Sequence, residues 1–318
     1  MSRYARQTIL PEIGEKGQHR LAEARVLVVG AGGLAAPALP ILAGAGVGHL
    51  TIVDGDTVAL SNLHRQTLFT EADSGQPKAV VAAERCRAIN GHITVKALVN
   101  SITPASAADL IRQFDVVLDC ADSYAVSYLL SDLCLARTIP LISASVLGLG
   151  GYVGGYCGSA PSVRAVFPDA PDSGASCESA GVLGPVVGVI GMMQAQMALN
   201  FLLSIDPSPL GQVVHYDGRG LRASGFRFDH APEPNAPLRF VAASDLSDRD
   251  RIVDLREDGP LLHPQAQRLT AEDIAGDLPL TDTRLVLCCA TGLRAWRAAE
   301  YLRETWPGEI VLVAASAS

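Results

Sequence analysis

Residues 25–35 read Arg25-Val-Leu-Val-Val-Gly30-Ala-Gly32-Gly33-Leu-Ala35, and an apolar segment of helical period runs on from them to Gly46. A short β-branched run that ends in glycine and gives way to a helical pattern predicts strand, tight turn and helix. The next run, His49-Leu-Thr-Ile-Val-Asp54, predicts a second strand that ends in an acid. Downstream the same alternation continues, with helical patterns at 78–89, near 105–112 and at 125–137 and strand patterns at 93–99, 115–119 and 141–145. Strands that alternate with helices of this length predict an α/β fold: a doubly wound, Rossmann-like, mainly parallel sheet. After Ser145 the chain turns glycine-rich, with spaced aromatic and aliphatic residues that predict additional antiparallel strands. A loop over 161–179, a long uncharged helix and strand-like runs at 212–216 and 221–228 complete a first domain, 1–230. Three prolines within 229–237 predict a linker, drawn at 231–239, because proline propagates neither a helix nor an inner strand. Beyond it, strand patterns at 252–255, 284–288 and 309–313 and a helix at 294–304 predict a second, small α/β domain over 240–318.

Composition narrows the function. The 318 residues are enough for about two domains with a sizeable core. A chain with 48% hydrophobic and 18% charged residues is globular rather than disordered. The net charge of −8 argues against nucleic acid as a partner, so any anionic ligand must be met by locally placed bases. No secretory leader is legible after Met1, and a cytoplasmic location is expected. Seven cysteines, an odd number in a chain of this size, predict free thiols. The uncharged stretch 179–205 is long enough to cross a bilayer. Gln194, Gln196 and Asn200 interrupt it and no basic flank follows, so a buried helix is expected and no membrane partner.

The glycines at 30, 32 and 33 sit where backbone N–H groups approach phosphate at a helix N-terminus, and Asp54 lies where a carboxylate meets ribose hydroxyls. Those two features admit a dinucleotide oxidoreductase, including an NAD-dependent dehydrogenase, or an ordinary tight turn. The stretch that follows, Asp54-Gly-Asp56 through Ser61-Asn62-Leu-His-Arg65-Gln66 to Gly75-Gln-Pro-Lys78, supplies the cations that a triphosphate requires and hydride transfer does not. Standing alone, Arg65 and Lys78 read equally as a solvated surface pair.

Together Arg3-Tyr-Ala-Arg6-Gln, Gly30-Ala-Gly-Gly-Leu, Asp54-x-Asp56, Ser61-Asn62-Leu-x-Arg65-Gln, Gly75-Gln-Pro-Lys78 and Asp119-Cys-Ala-Asp122 resemble the ThiF/MoeB/HesA family of E1-like adenylyltransferases, in order from about residue 3 to 228. The resemblance implies an enzyme that joins the C-terminal Gly-Gly carboxylate of a ubiquitin-like sulfur-carrier protein to the α-phosphate of ATP and releases pyrophosphate. It implies ATP and Mg²⁺ as cofactors. Gly30, Gly32 and Gly33 would cradle phosphate, Asp54 and Asp56 would line the nucleotide site, and Asn62, Arg65 and Lys78 would neutralise phosphate charge. Asp122 would hold Mg²⁺, in preference to Asp119, which reads also as a buried structural acid. Arg6 matches the arginine that reaches the nucleotide across a dimer interface, so a homodimer is implied. A non-catalytic scaffold that binds ATP or a carrier tail is the alternative, disfavoured because these residues are present together.

The chain also departs from the family. Many relatives carry two Cys-x-x-Cys pairs for structural zinc; here the first pair's place reads Ser162-Val-Arg-Ala165, the second falls in the cysteine-free linker, and no zinc site is expected. Cys177 aligns with the crossover-loop cysteine and reads either as a nucleophile or as a buried small residue. Cys86, Cys120, Cys134 and Cys157 are expected in the core. Asp254-Leu-Arg256 and Cys288-Cys289-Ala-Thr-Gly292-Leu-Arg294 resemble a rhodanese domain, with Cys289 at the persulfide position, Arg294 able to stabilise its charge, and Cys288 inside the strand. The short spacer and Ala314-Ala315-Ser316 after the last strand make the domain short and degenerate, so a structural or docking role is the competing reading. A cysteine desulfurase is the implied sulfur donor. The absent zinc cysteines and retained Cys177 favour a thiazole-type (ThiS-like) carrier slightly over a molybdopterin-type (MoaD-like) one.

Overall fold

The computed structural model describes residues 3–170, 181–270, 273–274 and 281–315. Two short helices, α1 (Ala5–Thr8) and α2 (Gly14–Glu23), precede an eight-stranded sheet. Its strands are β1 (Arg25–Val29), β2 (His49–Val53), β3 (Thr94–Leu98), β4 (Val116–Asp119), β5 (Pro140–Leu147), β6 (Gly150–Cys157), β7 (Gln212–Asp217) and β8 (Arg222–Arg227). They lie in the order β3-β2-β1-β4-β5-β6-β7-β8. The first five are parallel and β6 to β8 add antiparallel strands at one edge. This is the fold class read from the alternation of strand and helix patterns.

The connecting helices are α3 (Ala35–Ala45), α4 (Lys78–Ile89), α5 (Pro104–Leu110), α6 (Tyr124–Arg137), α7 (Val163–Val166) and α8 (Gly184–Leu203). Gly46 ends α3 at φ +87°, a left-handed conformation that glycine adopts without strain. The sheet reverses its winding between β1 and β4, which opens a crevice at their carboxyl ends, the place where doubly wound folds bind ligands. Helix α8 is the stretch long and apolar enough to cross a membrane; half of its most apolar window is buried inside the fold, against α3, β5 and β6. Its buried Gln194 donates to the carbonyls of Asp119 (2.7 Å) and Ile142 (2.9 Å) and accepts from the Cys120 thiol (3.2 Å). An amide that bonds the last carbonyl of β4 and one inside β5 locks the helix to the sheet beside the crevice.

A second, all-parallel sheet follows, with the order β11-β10-β12-β13-β9. Its strands are β9 (Arg239–Phe240), β10 (Arg251–Asp254), β11 (Gln267–Arg268), β12 (Leu285–Cys289) and β13 (Ile310–Ala314), and α9 (Leu293–Leu302) packs on β12 and β13. One apolar cluster runs through both sheets' surroundings, joining Tyr128 and Leu129 of α6 to Phe240, Leu287 and Trp296. Arg164 sits at that junction, 2% exposed, donating to Asp132 at 2.6 and 2.9 Å and to the Leu238 carbonyl, with its guanidinium 4.5 Å from the Tyr128 ring centre and 5.3 Å from that of Trp296. At the place of the family's first cysteine pair, Ser162 donates through its backbone N–H (2.7 Å) and hydroxyl (2.5 Å) to the Glu233 carboxylate. Those two bonds tie the proline-rich stretch to the first sheet. The 161–179 stretch, expected as loop, contains the single turn α7, whose start Ser162 caps through Ala165 N–H.

Candidate active site

The three loop glycines are required for different physical reasons. Gly30 takes φ +90° and stands so near the Cys120 carbonyl that a Cβ would lie 2.7 Å from it. A Cβ on Gly33 would lie 2.8 Å from Val187 Cγ1 of α8. Gly32 meets nothing nearer than Gln66 Nε2 at 3.6 Å, an ordinary contact, so unlike its neighbours it is not held to glycine by a close approach. The Asp54 carboxylate joins this loop to the next, accepting from Ala31 N–H at 2.6 Å and Asp56 N–H at 2.8 Å. Burial raises its pKa, and the two N–H bonds and Lys78 oppose that shift.

The segments 56–58 and 75–78 run against each other, with Val58 N–H bonded to the Gln76 carbonyl, Gly75 N–H to that of Val58 and Lys78 N–H to that of Asp56. The pairing sets the Lys78 ammonium, its side chain 6% exposed, 2.8 Å from the exposed Asp56 carboxylate. Arg65 lies beside Gly33 and donates to Asn62 Oδ1 at 2.8 Å. Asp119, fully buried at the end of β4, accepts from Ser143 Oγ (2.7 Å) and Ala121 N–H (3.2 Å), and burial pushes its pKa up to about 6. Asp122, three residues on, is exposed.

Gly30, Gly32, Gly33, Asp54, Asp56, Asn62, Arg65, Lys78 and Asp122 thus gather around the carboxyl ends of β1 and β4. Arg6 is not among them. It is exposed on α1, and its neighbour Tyr4 packs on Gly46 at the far end of α3, about 16 Å of helix from the glycine loop. Cys177 lies outside the described residues. Cys86, Cys120, Cys134 and Cys157 are buried, though Cys120 lies in the turn after β4 rather than in an element.

Among the described residues no group of three or more His, Cys, Asp or Glu side chains could hold a metal ion unaided. The single exposed carboxylate of Asp122 fits Mg²⁺ bound chiefly through nucleotide phosphates, the usual mode of that hard, strongly hydrated ion.

In the second sheet Cys289 is the last residue of β12, and its sulfur accepts from the backbone N–H groups of Gly292 (3.1 Å) and Ala295 (3.4 Å) at the start of α9. Such donors favour negative charge on sulfur. Cys288 faces Asp254 and Arg256 on the other side of the strand, and burial pushes its thiol up to about 12. Arg294 does not reach Cys289: its exposed side chain pairs with Glu257 at 3.5 Å, because successive residues at a helix start diverge by about 100° and Ala295 takes the inward position. Sequence reasoning missed Tyr124 and Phe240, which pack against this loop. Neither carries a local signal beyond being aromatic.

Residues 4–238 match the ThiF family model. The chain is 44% identical over 223 residues to the adenylyltransferase and sulfurtransferase MOCS3 of Sus scrofa, an alignment that covers 69% of this chain and 49% of that protein. It therefore spans about half the length of that relative. It is 39% identical over 248 residues to the sulfur carrier protein adenylyltransferase of Thermus thermophilus, covering 75% of this chain and 90% of that one. The Drosophila ananassae MOCS3 aligns at 40% identity over 96% of this chain and 80% of its own. Among solved structures, E. coli MccB with ATP superposes with a TM-score of 0.63 at 21% identity over 73% of each chain, a likeness of fold.

Proposed function

The chain belongs to the ThiF family, and from that premise we propose that it uses ATP to adenylylate the C-terminal Gly-Gly carboxylate of a ubiquitin-like sulfur-carrier protein. The observation that carries the proposal is the crevice between β1 and β4. A glycine loop at the start of α3 lies next to two cations, Arg65 and Lys78, in a chain of net charge −8. A carrier carboxylate oxygen attacks the α-phosphorus, the bond from that phosphorus to the bridging oxygen breaks, and pyrophosphate leaves. Lys78 exchanges its Asp56 partner for phosphate oxygens, and Arg65 shares the charge that develops on the leaving group. Asp54 holds the ribose hydroxyls with oxygens already aligned by two backbone N–H groups. Mg²⁺, held at Asp122, supplies further charge neutralisation when bound. A homodimer, in the cytoplasm, is the setting that fits: Arg6 is exposed on α1, whose neighbour Tyr4 packs at the far end of α3 from the glycine loop, and it would serve the crevice of a second copy.

The sulfur that follows is assigned to Cys289, on its two N–H donors and on the alignment of the Drosophila relative through this region. Its thiolate attacks the outer sulfur of a persulfide, such as that of a cysteine desulfurase; the donor leaves as thiolate and the sulfane sulfur stays on Cys289. Cys177 is the alternative acceptor of the activated carrier. The thiazole-type carrier is slightly favoured over the molybdopterin-type one.

ATP–pyrophosphate exchange with each carrier type tests the reading. We expect exchange that needs one carrier and falls by about two to three orders of magnitude in Asp122→Ala and Lys78→Met, as loss of electrostatic stabilisation predicts. ATP binding with no carrier-dependent exchange would leave the scaffold reading in its place.

A further inference from the structure

The loop that holds the Cys289 sulfur is packed from both halves of the chain, by Phe240 of its own sheet and by Tyr124 of α6. Cys289 is 1% exposed, and Gly292, whose N–H donates to its sulfur, packs against two rings. A Cβ on Gly292, at φ +88°, would lie 2.6 Å from Phe240 Cε1 and 3.0 Å from the Tyr124 hydroxyl oxygen. Tyr124 is the first residue of α6, in the nucleotide-binding half of the chain. Its ring meets those of Phe240 and Trp296 edge-on, with centres 6.1 and 6.4 Å apart. Its hydroxyl is buried and has no hydrogen-bond partner among the described residues. A buried phenol without a partner forfeits its hydration, so the closed arrangement holds an internal incentive to open or to receive a charged acceptor.

Asp122 stands two residues before Tyr124, a reach of at most about 7 Å of chain. We propose that Cys289 is a gated thiol: Tyr124, with Phe240, closes it in the nucleotide-free chain, and ATP bound at Asp122 draws the start of α6 away and opens it. The proposal rests on the adenylylation reading for its trigger. Its chemical sense is order: a sulfur nucleophile kept from solvent is spared oxidation and misdirected transfer until a nucleotide is in place.

The test follows the alkylation of Cys289 by iodoacetamide in the full chain, with Cys288 and Cys289 distinguished by fragment-ion mass spectrometry and ATP binding measured in parallel by calorimetry. Without nucleotide, Cys289 should react at least about 100-fold more slowly than in urea, as expected for a site reached only through a minor open state. Tyr124→Ala, folded by circular dichroism, should react about tenfold or more faster than the parent, and Phe240→Leu serves if that variant does not fold. ATP with Mg²⁺ should accelerate the parent to a similar extent and leave Asp122→Ala unchanged. A parent thiol that reacts almost as fast folded as in urea overturns the gate, as does a folded lid variant with the parent's rate. ATP that binds without changing the rate overturns the trigger and leaves adenylylation intact. ATP that does not bind removes the trigger together with the reading of the crevice, and the Tyr124→Ala arm then decides the lid.

Discussion

Asp119 and Asp122 show how three residues of separation divide two carboxylates between structure and chemistry. Asp119 ends a buried strand and keeps its proton to about pH 6, whereas Asp122 emerges beyond the turn. A carboxyl whose folded pKa exceeds its unfolded value of 3.8 contributes stability below that value and loses it as pH rises through about 6. The interval amounts to about 3 kcal/mol in the wild-type chain. Replacement by asparagine, which cannot ionise, should therefore be relatively more favourable at pH 8 than at pH 4.5, by about 2 kcal/mol in urea unfolding. An offset between the two proteins that does not move with pH would show that Asp119 does not titrate in this window. The sequence offered Asp122 by its place in a motif and left Asp119 open as a structural acid, since neither burial nor the Ser143 hydroxyl can be seen from a string of residues.

At the scale of elements, hydrophobic period was sufficient to draw β1, α3, β2, α4 and α6 to within a residue or two, because each buries one regular face or a whole strand against neighbours. The polar residue of α8 was less legible. Read along the chain, Gln194 only interrupts an apolar run; in three dimensions it pairs with Asp119, Ile142 and Cys120 and fixes the helix whose Val187 abuts Gly33. Gln194→Met keeps the volume and removes three buried hydrogen bonds, two of them to carbonyls of the first sheet, so it should destabilise the chain by about 2–4 kcal/mol. It should also weaken ATP binding, because the wall behind the glycine loop loosens. Thermal unfolding and calorimetry check both, and a variant that lost stability while binding ATP as before would separate the helix from the loop.

The whole molecule is held by contacts between residues far apart in sequence, which is why its assembly was the least legible part. Nothing near Arg164 announces that a charged side chain will be buried between Tyr128 and Trp296, and nothing near Cys289 announces Tyr124. Arg164→Met removes one member of a largely buried ion pair and leaves Asp132, whose pKa burial already raises, without its strongest partner. A loss of about 3–5 kcal/mol is expected, with the second sheet melting ahead of the first in scanning calorimetry. A single transition at the parental temperature would show that Arg164 does not join the two. The second sheet has a further property in its strand order. Its first strand, Arg239–Phe240, has as its sheet neighbour Ile310–Ala314, so it waits for about 70 residues to be synthesised before it can pair. At ~5–20 residues per second that is roughly 4–14 s on the ribosome. Throughout that interval the faces of Tyr124 and Tyr128 that Trp296 will cover stay open on the nascent first half, a patch of aromatic surface exposed to other chains until the last strands arrive.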